Sequence, residues 1–220
     1  RSGIAGLAVI DDINFIAVPD LMAGVFNREM IGNEFGEETL VLDDKRKQMI
    51  IDAQANLIGF CERMGDRMCI LDPIPGLNAQ EMKETTMNAP FTCERGQAAI
   101  YYPWIKVVDQ VHKSNGKRLQ TLVPPSGHIA GVWARTNVQR GVHKAPANEG
   151  IRGCVGLEKD ITKGEQEILN PNGINCIRSF PGIGIKVWGA RTLATVGNPS
   201  WKYVNVRQLF NFLERGADNN

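Results

Sequence analysis

Residues 43–76, DDKRKQMIIDAQANLIGFCERMGDRMCILDPIPG, restrict the fold of this chain more than any other stretch. Ile50, Ala53, Leu57, Cys61 and Met64 recur at helical spacing, and Phe60 widens the stripe. Asp43 and Asp44 suit the positive end of a helix dipole, and Gly65 suits the left-handed residue that ends a helix. The helical period gives way at once to RMCILDPIPG, an apolar run that its prolines stop. A one-faced helix feeding a wholly apolar strand is half of a crossover unit. Such units build parallel sheets covered on both faces.

The rest of the first two-thirds repeats the alternation. GLAVI (6–10) and INFIAVPD (13–20) read as strands, the second running into a loop at its Pro-Asp. Residues 26–44 are Gly-broken and read as loop with room for a short helix. NAQEMKETTMN (78–88) is a short helix with Asn78 as its cap, and AAIYYPWIKVVD (98–109) is a strand. Residues 116–141 give strand, Pro-Pro break and helix, with Ser126 as N-cap and Ile129, Val132, Trp133 and Thr136 on the inner face. KAPANEG (144–150) breaks the composition and sets an expected domain boundary between 1–145 and 146–220. Beyond it, RGCVGLEKDIT reads as a strand, KGEQEILN as one or two helical turns and PNGINCIRSF as turn and strand. GIGIKVWGARTLA is a Gly-punctuated strand or strand pair. KYVNVRQLFNFLERG is a closing helix on which Val206, Leu209, Phe210 and Leu213 share a face. The expected class is α/β: a mostly parallel sheet flanked by helices, followed by a smaller α+β domain.

The function classes narrow by exclusion. Net charge is +1, without the basic surplus of a nucleic-acid binder. No apolar run reaches the roughly 18 residues of a membrane span, and the opening RSGIAGLAVIDD is not a signal peptide. Cys61, Cys69, Cys93, Cys154 and Cys176 form no C-x-x-C, so they read as reduced thiols packed as small apolar side chains. His112, His128 and His143 lie far apart, and no G-x-S-x-G, H-E-x-x-H or calcium loop is present. Gly182, Gly184 and Gly189 lead into strand-like IKVW, where a dinucleotide loop needs a helix start. Trp104, Trp133, Trp188 and Trp201 are too spread to form a stacking stripe. No catalytic, cofactor-binding or metal-binding residue is assigned. What remains is GVWARTNVQRGVHKAPAN (131–148), dense in Arg, His, Lys and Trp.

Four segments together resemble the sheath protein of contractile tails: GLAVIDDINFIAVPD, LVPPSGHIAGVWARTNVQRGVHKAPANEGIRG, LNPNGINCIRSFPGIGIKVWGARTLA and KYVNVRQLFNFLE. That family includes phage tail sheaths and their relatives in R-type bacteriocins and extracellular contractile injection systems. The resemblance runs in order over nearly the whole chain. Its most specific pieces are G-x-W-A-R-T-x-x-x-R-G-V-x-K-A-P-A (131–147) and W-G-A-R-T-L (188–193). Family members join an α/β domain to an α+β domain and add extended terminal arms. This chain opens without Met and is expected to be a core segment lacking those arms, while GADNN departs from the family pattern and reads as foreign.

The resemblance implies that residues 131–148 form no active site. Val132 and Trp133 pack the helix on the sheet, and Arg135 takes an intramolecular role. Arg140, His143 and Lys144 become candidate inter-subunit or inter-domain contacts. The implied partners are neighbouring sheath subunits in a helical stack of rings linked by exchanged strands, an inner tube protein, and baseplate and terminator proteins. Neither nucleic acid, membrane nor cofactor is implied. Assembly is expected in the cytoplasm, followed by residence in a virion tail or released tail-like particle. One alternative stays open: an α/β enzyme or small-ligand-binding domain, with its site at the carboxyl ends of the strands near residues 18–20, 71–75 and 123–127. A deep pocket of converging polar groups favours that alternative, and a shallow, proline-lined surface favours the sheath.

Overall fold

A computed structural model describes residues 3–31, 34–114 and 116–218. In chain order the strands are β1 (Phe15–Ala17), β2 (Phe26–Ile31), β3 (Glu34–Leu40), β4 (Met68–Leu71), β5 (Ala98–Tyr102), β6 (Ile105–Ser114), β7 (Lys117–Val123), β8 (Glu149–Gly150), β9 (Cys154–Leu157), β10 (Ile174–Phe180) and β11 (Gly184–Trp188). The α-helices are α1 (Asp44–Met64), α2 (Ala79–Asn88), α3 (Ser126–Arg140), α4 (Lys163–Leu169) and α5 (Val204–Asp218). The main sheet has the order β1-β4-β5-β10-β11-β8. Its first four strands are mutually parallel, and β11 and β8 add antiparallel at one edge. A three-stranded antiparallel sheet, β7-β6-β9, and the β2–β3 hairpin make the smaller, strand-rich part. The expected fold class holds.

Helix α1 forms as the sequence predicts. The Asp43 carboxylate caps it by accepting from the Arg46 amide at 2.7 Å, and Gly65 ends it at φ 76°. Asn78 and Glu81 close a reciprocal capping box on α2. The pleat of β4 explains the two layers. Cys69 and Leu71 point to a core with Leu57, Ile58, Cys61, Met82 and Leu169, contributed by α1, α2 and α4. Met68 and Ile70 point to the opposite core with Ile129, Val132 and Trp133 of α3. Because both faces are covered, every residue of β4 and β5 is buried.

Several expectations are corrected. GLAVI is not a strand; Gly3–Val9 forms a 3-10 helix. Residues 26–44 are not a loop but mostly the β2–β3 hairpin, whose alternation Gly32 and Gly36 obscure; residues 32 and 33 lie outside the described residues. The single strand expected over 98–109 is two, since the chain turns at Pro103 and passes from the main sheet to the smaller one. Ser126 is not the N-cap of α3. Pro125 holds that place, and Ser126 is the first helical residue. The strands on either side of residue 146 share one sheet, so the break in composition there marks a loop beside β8. Of the terminal GADNN, residues 219 and 220 lie outside the described residues.

Candidate assembly surfaces

The 131–148 segment divides between fold and surface. Trp133 is fully buried; its indole N–H donates to the Tyr101 hydroxyl at 3.0 Å, and its ring meets Phe15 edge-on at 5.2 Å. The Arg135 guanidinium donates to the Gly150 carbonyl at 2.7 Å and lies 3.8 Å from Glu149, so it binds α3 to β8. Arg140 ends α3 in an exposed position, where its charge suits the carbonyl end of the helix, and no partner for it appears among the described residues. His143 is exposed, and its carbonyl accepts from Asn205 at 2.9 Å. Lys144 is half-buried, with its ammonium on the Ala145 carbonyl at 2.6 Å. The structure therefore leaves Arg140 and His143 exposed and turns Lys144 back on its own loop.

The carboxyl ends of the parallel strands carry a buried polar pair. Asp72 follows β4, and its carboxylate accepts from the Ser126 amide and the Ser126 hydroxyl, both at 2.7 Å. This satisfies an orphan donor at the start of α3 and places negative charge at the positive helix end. The hydroxyl is thus committed to Asp72. Burial pushes the Asp72 carboxyl up to about 6, against the two Ser126 hydrogen bonds that favour its charged form. Burial also lowers the His128 imidazole. The neighbouring cleft, of about 490 Å³, is lined by Pro19, Met22, Phe26, Trp104 and Pro124 among others, and Asp72 is not in its wall. No group of three His, Cys, Asp or Glu side chains able to hold a metal occurs among the described residues.

The Asp72 carboxyl has a measurable consequence. An unfolded aspartate ionises near 3.9, so between about pH 4 and 6 the folded chain holds a proton that the unfolded chain has lost. Stability therefore falls as pH rises through this window, by about 3 kcal/mol for a two-unit shift, and levels off above it. Asp72→Asn keeps the shape and removes the titration. Urea midpoints of the two proteins should diverge across that window. A difference that does not vary with pH would overturn the assignment.

At the amino ends of the same strands lies α5, and sequence reasoning missed its orientation. An amphipathic helix ordinarily turns its apolar stripe inward. Here Val204, Arg207, Gln208 and Asn211 are buried, while Phe210, Phe212 and Leu213 are 43%, 63% and 53% exposed. The polar face is held by groups that precede the strands. Gln97, before β5, donates to the Gly65 carbonyl at 2.5 Å and exchanges amide hydrogen bonds with Asn211 at 3.2 and 3.1 Å. Arg215 donates to Asn14 before β1 at 2.7 Å, and to the Ile13 and Asp66 carbonyls at 2.9 Å each. Arg207 donates to Asn211 at 2.7 Å and to Glu214 at 3.0 Å, and its guanidinium stacks 4.2 Å from the Trp201 ring centre. One signal for this was present: Arg207, Asn211 and Arg215 recur every four residues, as regular a stripe as the apolar one.

The sheets also offer edges. Among the described residues no strand pairs with the outer sides of β1 and β8 in the main sheet, or of β7 and β9 in the small one. Such edges accept an added strand through main-chain hydrogen bonds. No described helix is long and apolar enough to cross a membrane.

Known proteins place this architecture. The chain is 28% identical over 134 residues to the tail sheath protein of Burkholderia phage BcepMu, a match covering 58% of this chain and 26% of that protein. It is 35% identical over 96 residues to the tail sheath protein of Vibrio phage KVP40, covering 42% and 14%. Among solved structures, a chain of the contracted anti-feeding prophage baseplate aligns with 99% of this chain and 51% of its own, at TM-score 0.66 and 26% identity. A chain of the contracted sheath complex of PVC, an extracellular contractile injection system, aligns with 74% and 44%, at TM-score 0.60 and 32% identity. The chain thus spans about a quarter or less of these curated relatives and about half of the solved ones. The model of the phage tail sheath protein central domain matches residues 38–193, through α1, α3 and every strand of the main sheet except β1. This chain belongs to the phage tail sheath protein family.

Proposed function

We propose that the chain forms the central part of a structural subunit of a contractile tail sheath. The subunit polymerises helically around an inner tube and contracts to drive that tube through a target envelope. The observation that carries this reading is the alignment of nearly the whole chain with a chain of the contracted anti-feeding prophage baseplate. Head-to-tail contacts that do not close generate a helical filament, as a sheath requires. Terminal arms of neighbouring copies would add to the open sheet edges. Such main-chain links let near-rigid subunits pivot from one lattice to another without parting. Arg140 and His143, both exposed, are assigned to contacts between copies; Lys144 joins them only if its loop opens.

No catalytic role is assigned. The Ser126 hydroxyl donates to Asp72, and both side chains are buried, so the pair reads as a brace at the start of α3 rather than a nucleophile open to substrate. The cleft nearby has a largely apolar wall that includes Pro19, Met22, Phe26, Trp104 and Pro124, with Asp20, Glu38 and His128 also in its lining; the apolar share supports a contact surface. Baseplate and terminator proteins and the inner tube are the proposed partners, and a phage tail or tail-like particle is the proposed site of action.

The test is electron microscopy of two proteins. A chain extended by the flanking arms of its gene should form helical tubes, and the 220-residue chain should form none. Tubes of native lattice spacing from the 220 residues alone would refute the role given to the arms. Substrate turnover abolished by one substitution in the cleft would refute the structural reading itself.

A further inference from the structure

Helix α5 is seated the wrong way round for stability. Helices in folded proteins are held mainly by the apolar face they bury. Among the described residues of α5, Val204 at its root is the only buried apolar side chain, and Arg207, Gln208 and Asn211 fill the rest of the seat. Eight buried side-chain nitrogen and oxygen atoms lack a hydrogen-bond partner among the described residues. Four of them belong to this one helix: Arg207 Nη1, both amide atoms of Gln208, and Arg215 Nε. A buried polar group left unpaired costs about twice what a formed hydrogen bond contributes net. The bonds that do hold the seat run from Asn211 to Gln97, from Arg215 to Asn14, Ile13 and Asp66, and from Asn205 to the His143 carbonyl. All are polar, so water replaces each of them when the helix leaves. Phe210 adds one edge-on ring contact, with Trp201 at 5.1 Å. The residues just before α5 are pinned instead. Thr192 donates to the Lys202 carbonyl at 2.9 Å, Arg191 pairs with Tyr203 as a β-bridge, and the Val204 amide donates to the Ala190 carbonyl at 3.0 Å.

We propose that α5 is a latch, which swings off the body as one unit, hinging just beyond Val204, while the sheets and the other helices stay folded. Local opening of this kind selects the element whose release exposes the least apolar surface. Leaving the seat relieves four unpaired atoms and uncovers little that water disfavours. It also returns the Arg207 cation, which burial penalises, to solvent. The open state bares a polar floor of Asn14, Asp66 and Gln97, at the feet of β1, β4 and β5. The inference stands on the seat of the helix alone and does not need the sheath reading.

Native-state hydrogen exchange of the 220-residue chain, followed in urea below the unfolding midpoint, tests it. The amides of residues 208–215 should exchange through an opening at least about a hundredfold more populated than the one that exposes residues 50–61 of α1. That opening should rise only weakly with urea, because little buried surface is uncovered. A second measurement reads the unpaired atoms. Gln208→Met keeps the volume, removes two of them, and should slow exchange in α5 at least about fivefold. Amides of α5 that exchange only with global unfolding overturn the latch. So does a Gln208→Met chain whose α5 exchanges as fast as before or faster, since the Gln208 amide would then be satisfied where it lies. Failure here leaves the tube experiment untouched, and tubes from an arm-bearing chain do not rescue the latch.

Discussion

Trp133→Ala should lower the unfolding free energy by about 3–5 kcal/mol, enough to unfold a domain of ordinary stability at modest temperature. Three losses combine. The indole is fully buried between α3 and the sheet, so its removal opens a cavity in a core that packs at crystal density. The edge-on contacts with Phe15 at 5.2 Å and Tyr101 at 6.2 Å disappear. The Tyr101 hydroxyl, itself buried, loses its donor. Trp133→Phe should recover most of the packing and leave only the orphaned hydroxyl, for a loss of about 1–2 kcal/mol. Urea denaturation with unchanged slope would check both. Equal losses for Ala and Phe would show that the hydrogen bond, not the volume, dominates.

Glu214→Ala should cost about 3 kcal/mol, far more than its position on the surface predicts. Exposed substitutions ordinarily fall within about 0.5 kcal/mol. Glu214, however, is the carboxylate that reaches the Arg207 side chain, which is 0% exposed. Burial pulls the Arg207 guanidinium downward, and the Glu214 charge holds it up. Without Glu214 a cation remains inside with an amide, two rings and only the weaker pull of the Glu62 charge. The discriminating experiment is a double-mutant cycle. In an Arg207→Met background the same Glu214→Ala change should cost less than about 0.5 kcal/mol, because no buried charge is left stranded. Additive losses would mean that Glu214 contributes through some other contact.

These two residues mark what the sequence could and could not disclose. Trp133 was legible: its spacing with Ile129, Val132 and Thr136 announces an inner face, and all four are buried. The crossover unit around α1 and β4 was legible for the same reason, since a helical period ending in a wholly apolar run has few other folds. Arg207 was not legible. The apolar stripe of α5 is strong, and amphipathic reasoning turns such a stripe inward. The deciding fact is tertiary: Asn14, Asp66 and Gln97 lie at the feet of three parallel strands and offer polar groups that only the polar face of α5 can satisfy. Ser126 failed as a cap because the partner that fixes it, Asp72, is 54 residues away. The β2–β3 hairpin was hidden by Gly32 and Gly36, which read as loop where the strand partner is unknown. Of the surface residues, Arg135 takes an intramolecular role, as expected, with the Gly150 carbonyl as a partner that only the structure names. No periodicity distinguishes it from Arg140, which ends the same helix facing out.

The place of β10 beside β5 has a consequence for biosynthesis. β5 is AAIYY, apolar along its whole length, and its second neighbour is encoded far downstream. A ribosome adding 5–20 residues per second needs roughly 4–14 s to make the intervening stretch of about 70 residues. Throughout that interval the nascent chain displays a bare, greasy ladder of amides and carbonyls, an invitation to sister chains on the same messenger. Production of this protein in quantity should therefore depend on chaperones that hold the half-made sheet, or on slow translation in the cold.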